Sequence, residues 1–153
     1  MPHCHGQDLR KGRVSIPGQI YLVTTVTHKR QPLFHDFHTG RIVVGALRQL
    51  EQMCRVESLA FVAMPDHLHW LFSLGDTFTL SQVISNLKRC SAYRINRQCD
   101  RAGMPVWQSG FHDYALRRDE DIVHVARYIV ANPLRAGLVS RIGDYPLWDA
   151  ALL

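Results

Sequence analysis

The sequence is poor in cysteine and has no C-x-x-C pair. Its 153 residues include four cysteines, Cys4, Cys54, Cys90 and Cys99. The last three fall in or beside segments with a helical pattern. Buried thiols in a reducing compartment are therefore expected in preference to a disulfide framework.

Long apolar runs are also missing. No segment is long enough to span a bilayer, and the N-terminus lacks the apolar core of a signal peptide. There is no internal repeat, no low-complexity tract and no G-x-x-x-x-G-K-[ST] loop of the kind that cradles nucleotide phosphates. With 46% hydrophobic and 20% charged residues, the chain has the composition of one globular domain, and we expect it in the cytoplasm.

Positive charge exceeds negative charge, most of all in one stretch. Eighteen Lys and Arg against thirteen Asp and Glu give a formal net charge of +5. Between residues 88 and 118 the basic residues are Lys88, Arg89, Arg94, Arg97, Arg101, Arg117 and Arg118, against Asp100 and Asp113. A basic helix is often only a solvated surface, but this excess favours a polyanionic partner such as nucleic acid.

The hydrophobic patterns predict an α+β domain. Strands are predicted over residues 20–27, 56–63, 67–74 and 111–116. Helices are predicted around 42–53, from the N-cap Thr79 to about Cys99, and from the acidic run 119–121 to Pro133. The order βαββαβα predicts a single-domain, ferredoxin-like antiparallel sheet with helices packed on one face.

Two histidines one residue apart stand out in this pattern. His67 and His69 fall in a predicted strand, where alternate side chains share a face, so both imidazoles should project from the same side. Pro65-Asp66 forms a turn just before them, which places the pair at an end of the sheet. A lone strand histidine is usually an ordinary surface or core residue, whereas a spaced pair beside an apolar wall favours a metal site.

The third predicted helix carries a second candidate group. Tyr128 and Asn132 lie one turn apart at the border of its apolar arc. A tyrosine at a helix margin with a wet hydroxyl is common, and Asn before Pro commonly ends a helix. The helix alone leaves both interpretations open.

Three sequence blocks in order carry a family resemblance. They are His67-Leu68-His69, the run Val-Trp-Gln-Ser-Gly-Phe-His-Asp at 106–113, and the run Tyr-Ile-Val-Ala-Asn-Pro-Leu-Arg-Ala-Gly-Leu-Val at 128–139. Together they resemble the HUH single-tyrosine transposases, in particular the REP-associated tyrosine transposases of bacteria. The resemblance runs from about Gly18 to Trp148. It implies a transposase domain over 18–148, a flexible basic segment over 1–17 and a short tail over 149–153.

The resemblance implies a role for each candidate. Tyr128 would be the nucleophile, and His67 and His69 would bind the metal. Asn132 stands where many insertion-sequence members carry Gln as a third metal ligand. Tyr114 is the natural rival nucleophile, because it lies near the same predicted strand end. Two imidazoles and an amide carbonyl suit Mn²⁺ or Mg²⁺, and no nucleotide cofactor is expected.

The resemblance also implies the substrate. The expected activity is nicking and joining of single-stranded DNA at hairpins such as REP elements. The expected intermediate is a 5′-phosphotyrosine. The residues expected to contact DNA are Lys88, Arg89, Arg94, Arg97, Arg117 and Arg118. A monomer in the bacterial cytoplasm, associated with the nucleoid, is favoured over a homodimer that exchanges tyrosine helices.

Two other functions fit parts of the pattern. A histidine-triad nucleotide hydrolase needs a third alternating histidine where this chain has Leu71. A non-catalytic nucleic-acid-binding module on a ferredoxin-like sheet would explain the fold and the basic charge. Its usual aromatic strand pattern is missing, because the first strand offers only Tyr21.

Overall fold

The computed structural model describes residues 15–153, which build a five-stranded antiparallel sheet. The strands are β1 (Ile20–Val26), β2 (Val56–Met64), β3 (His67–Leu74), β4 (His112–Ala115) and β5 (Trp148–Ala150). Their spatial order is β4-β1-β3-β2-β5, and every neighbouring pair is antiparallel. The predicted α+β class and antiparallel sheet are confirmed.

Two long helices cover one face of this sheet, as predicted. They are α1 (Phe37–Gln52) and α2 (Leu80–Gln98), and their apolar sides share a buried cluster with Trp70 and Phe72 of β3. Thr79 is the predicted N-cap of α2: its side chain accepts from Gln82 N at 3.2 Å, and the Gln82 side chain bonds back to Thr79 N. This capping box fixes where the helix begins.

A third helix lies on the opposite face. This helix is α3 (Ile122–Val130), and it is followed by the single turn α4 (Asn132–Arg135). The buried Ala126 and Ile129 of α3 share a second apolar cluster with Val62 of β2 and Leu71 of β3. Hydrophobic periodicity shows which side of a helix is apolar but not which face of a sheet it covers, so this placement is new information from the structure.

The third helix begins and ends inside its predicted limits. Asp121 is its N-cap and accepts from His124 N at 3.1 Å, so Asp119 and Glu120 precede the helix. Its last residue is Val130, and Pro133 sits in the first turn of α4, where its missing N–H costs nothing.

The strand β5 joins the edge of the sheet beside β2. Trp148 pairs with Val62 and Ala150 pairs with Ala60. Asp149 and Ala150 were predicted to lie in the C-terminal tail and instead form part of this strand. Most of the predicted N-terminal segment, residues 1–14, lies outside the described part of the chain, so its flexibility stays a prediction.

The expectation of buried cysteines was wrong for the described thiols. Cys54 and Cys99 are exposed and Cys90 is half-buried, and all three are free. Cys54 follows α1 in a left-handed conformation with φ of 57°, and Cys99 is the C-cap of α2. Both are at helix ends that face outward, which a helical pattern cannot reveal. Among residues 15–153, no helix is long and apolar enough to cross a membrane.

Two glycines of α1 provide a matched test of this packing. A Cβ on Gly40 would lie 2.3 Å from Cδ1 of the buried Leu147, whereas on Gly45 its nearest neighbour would be Arg94 Nη1 at 3.9 Å. We expect Gly40→Ala to lower the free energy of unfolding by about 1–3 kcal/mol through overpacking. Gly45→Ala should raise it by about 0.5–1 kcal/mol through helix propensity. Urea unfolding of the two variants checks this, and a stabilising Gly40→Ala would contradict the packing.

Candidate active site

The imidazoles of His67 and His69 lie side by side at the start of β3. Their ring centroids are 4.8 Å apart and the rings are nearly perpendicular, at 83°. They share their face of the sheet with Leu71, while Leu68 and Trp70 point into the core beneath α1 and α2. The side chains of β3 alternate between the two faces of the sheet in the way that predicted a common face for the two histidines.

Each imidazole is held through its Nδ1 atom. His67 Nδ1 lies 2.7 Å from Asp66 Oδ1, and because a carboxylate can only accept, the ring nitrogen donates. His69 Nδ1 lies 2.8 Å from the hydroxyl oxygen of Thr24, which is its direct partner across β1 and β3. These bonds orient both rings and leave Nε2 as the atom available to a metal, an arrangement common among histidine ligands in metal sites.

Burial and the surrounding charges shift the pKa values of Asp66 and His69. Partial burial raises the pKa of Asp66, but hydrogen bonds from His67 and Arg30 outweigh it and hold that pKa below its usual range. Burial, the neighbouring His67 and the charge of Arg135 lower the pKa of His69 to about 4. His69 is therefore neutral at pH 7, so a metal that binds it need not first displace the second ring proton of an imidazolium.

Tyr128 reaches the same face of the sheet on α3. This helix is anchored by Ala126 and Ile129 against Val62, the direct cross-strand partner of His69. Tyr128 falls on the outer margin of the helix, and its side chain is 61% exposed. A substrate lying over the histidines can therefore approach its hydroxyl from solvent.

Asn132 lies at the break between α3 and α4. Its Nδ2 donates to Ile129 O at 2.8 Å, which leaves Oδ1 as the atom able to bind a metal. That oxygen accepts from Arg135 Nη2 at 2.9 Å. The same nitrogen donates to Tyr128 O at 2.6 Å, and the guanidinium carbon lies 3.9 Å from the centroid of the Tyr128 ring. Arg135 thus connects the two candidate groups of this helix pair.

The donor set decides which metal the site could hold. In residues 15–153 no three side chains of His, Cys, Asp or Glu come together as metal ligands. A cation would therefore be bound by two imidazole nitrogens and the Asn132 amide oxygen, with water or substrate completing its shell. Such a neutral, mixed nitrogen and oxygen set fits Mn²⁺ or Mg²⁺ with open positions, so the residues present fit the expected cofactor.

Tyr114 is held away from this chemistry. Its hydroxyl donates to Glu120 Oε1 at 2.5 Å, and that hydrogen bond to a carboxylate raises the pKa of the phenol. A raised pKa and an occupied hydroxyl both disfavour nucleophilic attack. The structure thus favours Tyr128 over its rival.

Lys88 and Arg89 line a groove at the histidine end of the sheet. This groove, of about 750 Å³, lies between α2 and the loop of residues 104–111, with Trp107 and Phe111 in its wall. Lys88 Nζ donates to the carbonyls of Gln108, at 2.9 Å, and Gly110, so it ties the loop to α2. Arg89 is exposed at the rim and is the better placed of the two for a phosphate.

The other predicted DNA-binding residues are spread over α2 and the segment that follows β4. Arg94 Nη2 donates to Gln49 Oε1 at 3.3 Å, and Arg97 is exposed in the last turn of α2. Arg117 and Arg118 follow β4, just after Leu116, whose N–H donates to Ile20 O. Ile20 pairs with the end of β3 that is remote from His67. Six residues of β3 separate those ends, about 20 Å at the usual strand rise. Arg117 also pairs with Glu120 at 3.4 Å.

Three residues of the site were not assigned a role from the sequence. Asp66 was seen only as a turn residue, although a carboxylate next to a strand histidine is a signal for its orientation. The role of Thr24 could not be predicted from the sequence, because its contact with His69 depends on the order of the strands in the sheet. Arg135 was part of the third sequence block, but its contact with Tyr128 spans a helix break that the pattern did not predict.

Known proteins are similar to this chain in sequence and in fold. The family model described as "Transposase IS200 like" matches residues 16–132. The chain is 27% identical over 139 residues to the Haemophilus influenzae protein named "Putative REP-associated tyrosine transposase", covering 84% of this chain and 78% of that protein. It is 28% identical over 87 residues to the REP-associated tyrosine transposase of Escherichia coli K12, covering 57% of this chain and 50% of that protein.

A solved structure extends the similarity to three dimensions. A REP-associated tyrosine transposase bound to a REP hairpin superposes with a TM-score of 0.71 at 23% identity. The match covers 89% of this chain and 79% of that one. The family resemblance carried by the three sequence blocks is confirmed, and so is the α+β fold that the hydrophobic patterns predicted.

Proposed function

Because this chain belongs to the IS200-like transposase family, we propose that it nicks and rejoins single-stranded DNA, with Tyr128 as the nucleophile. One observation carries the proposal: α3 packs beside the strand that presents His67 and His69, on the same face of the sheet. This packing supports a common surface for the two candidate metal ligands and a solvent-accessible phenol. Among the described tyrosines, Tyr128 is the one on a helix that packs on this face.

The chemistry follows from these groups. The Tyr128 oxygen attacks phosphorus and forms a phosphotyrosine with the 5′ end of one fragment, while the phenol proton passes to solvent. The bond from phosphorus to the 3′ oxygen breaks, and that oxygen takes a proton to become a 3′-OH. A divalent cation held by His67, His69 and Asn132 would supply Lewis-acid stabilisation of the phosphate charge. Attack by another 3′-OH reverses the step, so joining needs no nucleotide cofactor.

The residues around the site contribute orientation and charge. Asp66 and Thr24 fix the rings of His67 and His69 through their Nδ1 atoms. Arg135 places its positive charge over one face of the Tyr128 ring. Orienting the two imidazoles before DNA arrives lowers the entropic cost of assembling the reacting groups.

We propose a DNA hairpin with unpaired flanks as the substrate. The support is the relative that is bound to a REP hairpin, together with the groove beside α2 and its exposed Arg89. The packing of α3 on the sheet of its own chain supports action as a monomer, with the homodimer as the alternative. A cytoplasmic protein associated with the nucleoid follows from this substrate.

A labelled-DNA experiment tests the proposal. The full chain is incubated with a single-stranded hairpin oligonucleotide labelled at either end, with Mn²⁺, with Mg²⁺ or with EDTA. We expect 3′-labelled DNA to move with the protein on a denaturing gel, and 5′-labelled DNA to appear as a shorter product with an extendable 3′-OH. Both products should be lost in EDTA and with duplex DNA. A shift seen only on native gels would contradict the proposal and favour the non-catalytic module.

Salt dependence tests the proposed role of the groove. If Arg89 neutralises a phosphate, Arg89→Gln should flatten the slope of log affinity against log salt by about 0.7 to 1. The control is Arg48→Gln, which removes an exposed charge on α1, outside the proposed DNA-binding residues. Fluorescence anisotropy with a single-stranded hairpin, at salt concentrations from about 50 to about 200 mM, measures both slopes. Equal slopes for the two variants would exclude a phosphate contact by Arg89.

A further inference from the structure

Arg135 makes contacts that helix formation does not require. Its guanidinium lies over the Tyr128 ring and donates both to Tyr128 O and to Asn132 Oδ1. We propose that Arg135 couples DNA binding to metal binding: without DNA its guanidinium occupies Asn132 Oδ1, and a DNA phosphate draws it away and frees that oxygen for the cation. This inference rests on the proposed function and concerns regulation of the same site.

The first step is competition for one oxygen atom. Asn132 Nδ2 is bonded to Ile129 O, so a rotation that exchanged the two amide atoms would cost that bond. Oδ1 is thus the atom left for a metal, and it faces the Arg135 guanidinium at 2.9 Å. A guanidinium and a divalent cation around one oxygen also repel each other, because little water separates them. Arg135 in this position therefore weakens metal binding.

The second step is the preference of Arg135 for a phosphate. Among residues 15–153 no carboxylate forms an ion pair with Arg135, so no acidic side chain in this part of the chain neutralises its charge. It is exposed at the end of the four-residue helix α4, where a side chain can move at small cost. A guanidinium binds phosphate with two parallel hydrogen bonds, which are stronger than its bonds to two neutral carbonyl oxygens.

The consequence is reciprocal coupling. DNA that removes Arg135 from Asn132 strengthens metal binding, and metal on Asn132 must strengthen DNA binding by the same factor. The device would keep the site poorly loaded until the scissile strand is present. A purely structural Arg135, bonded to Tyr128 O only to end α3, would change stability but not the relation between the two ligands.

Mn²⁺ titrations followed by electron paramagnetic resonance test this coupling. All proteins carry Tyr128→Phe, which keeps the ring under Arg135 and prevents cleavage. Without DNA, Arg135→Gln should bind Mn²⁺ about five- to tenfold more tightly, the effect expected for removal of one nearby charge and donor. Arg127→Gln is the control, because it removes an exposed charge from the neighbouring helix α3 without a bond to Asn132.

The role of Asn132 is isolated by a double-mutant cycle. On an Asn132→Ala background the gain from Arg135→Gln should largely disappear. With a saturating hairpin oligonucleotide, Mn²⁺ affinity should rise several-fold more in the protein with Arg135 than in the Arg135→Gln protein. If Arg135→Gln unfolds, Arg135→Lys takes its place. Lysine keeps the charge but cannot lie flat on the Tyr128 ring while it donates to both Tyr128 O and Asn132 Oδ1. The expected gain in Mn²⁺ affinity is then smaller.

The outcomes separate this inference from the proposed function. Equal Mn²⁺ affinities with and without Arg135, or a full gain that persists with Asn132→Ala, would overturn the coupling while leaving cleavage by Tyr128 intact. No Mn²⁺ binding by any variant would overturn it as well. Failure of the proposed function would instead appear as the absence of covalent product from the protein with Tyr128. The Mn²⁺ measurement does not depend on cleavage, so each can fail alone.

Discussion

Tyr128→Phe is expected to eliminate the covalent DNA product and to lower cleavage by about 10³-fold or more, the loss usual for removal of a nucleophile. The substitution deletes one oxygen from a side chain that is 61% exposed, and the phenyl ring can still lie under Arg135. Folding and hairpin binding should therefore be unchanged. Denaturing gels measure the product, and fluorescence anisotropy measures the binding.

The matched control is Tyr114→Phe. Its hydroxyl is bonded to Glu120, in the loop between β4 and α3, so the variant should lose that bond and keep cleavage within a few-fold. Robust cleavage by Tyr128→Phe together with an inactive Tyr114→Phe would exchange the roles of the two tyrosines. Loss of hairpin binding in Tyr128→Phe would show instead that the ring serves in recognition.

His67→Ala and His69→Ala are each expected to lower cleavage by at least about 100-fold, because each removes a nitrogen ligand from a site with few protein ligands. Both histidines lie at a sheet end and are only partly buried, so the fold should survive. Asn132→Ala should be milder, since water can replace an amide oxygen on the metal. Cleavage rates across a range of Mn²⁺ concentrations measure all three variants.

The control for the histidine variants is His38→Ala. His38 lies on α1 beside Phe37, on the opposite face of the sheet, and should leave cleavage unchanged. Raising Mn²⁺ should partly restore the Asn132→Ala protein and restore the histidine variants much less. Near-normal activity of both histidine variants with either metal would contradict the metal site.

Local patterns predicted the elements of this fold well. The alternation in residues 20–27 and 67–74 depends only on which side chains share a strand face, and β1 and β3 agree with it. The N-cap at Thr79 is a local hydrogen bond and was found from its residue type. The face that α3 covers and the edge position of β5 depend on contacts between distant segments, which periodicity does not encode.

The candidate site also combines features that local patterns predict with features that depend on contacts between separate segments. The common face of His67 and His69 follows from strand geometry within three residues. The proximity of Arg135 to Tyr128 requires the chain to break at Ala131 and start α4, which places residues seven apart in contact. The basic residues between 88 and 118 are close in sequence. The path of β4 nevertheless places Arg117 and Arg118, which follow it, about 20 Å from the histidine end of β3.

Mass spectrometry of the trapped adduct tests the central claim most directly. The full chain is incubated with a hairpin oligonucleotide and Mn²⁺, denatured and digested with a nuclease and a protease, and the peptide carrying a nucleotide is sequenced. We predict a nucleotide attached through its 5′ phosphate to Tyr128. Attachment to Tyr114 or to another side chain, or DNA cut into fragments with no covalent peptide at any time, would contradict the account.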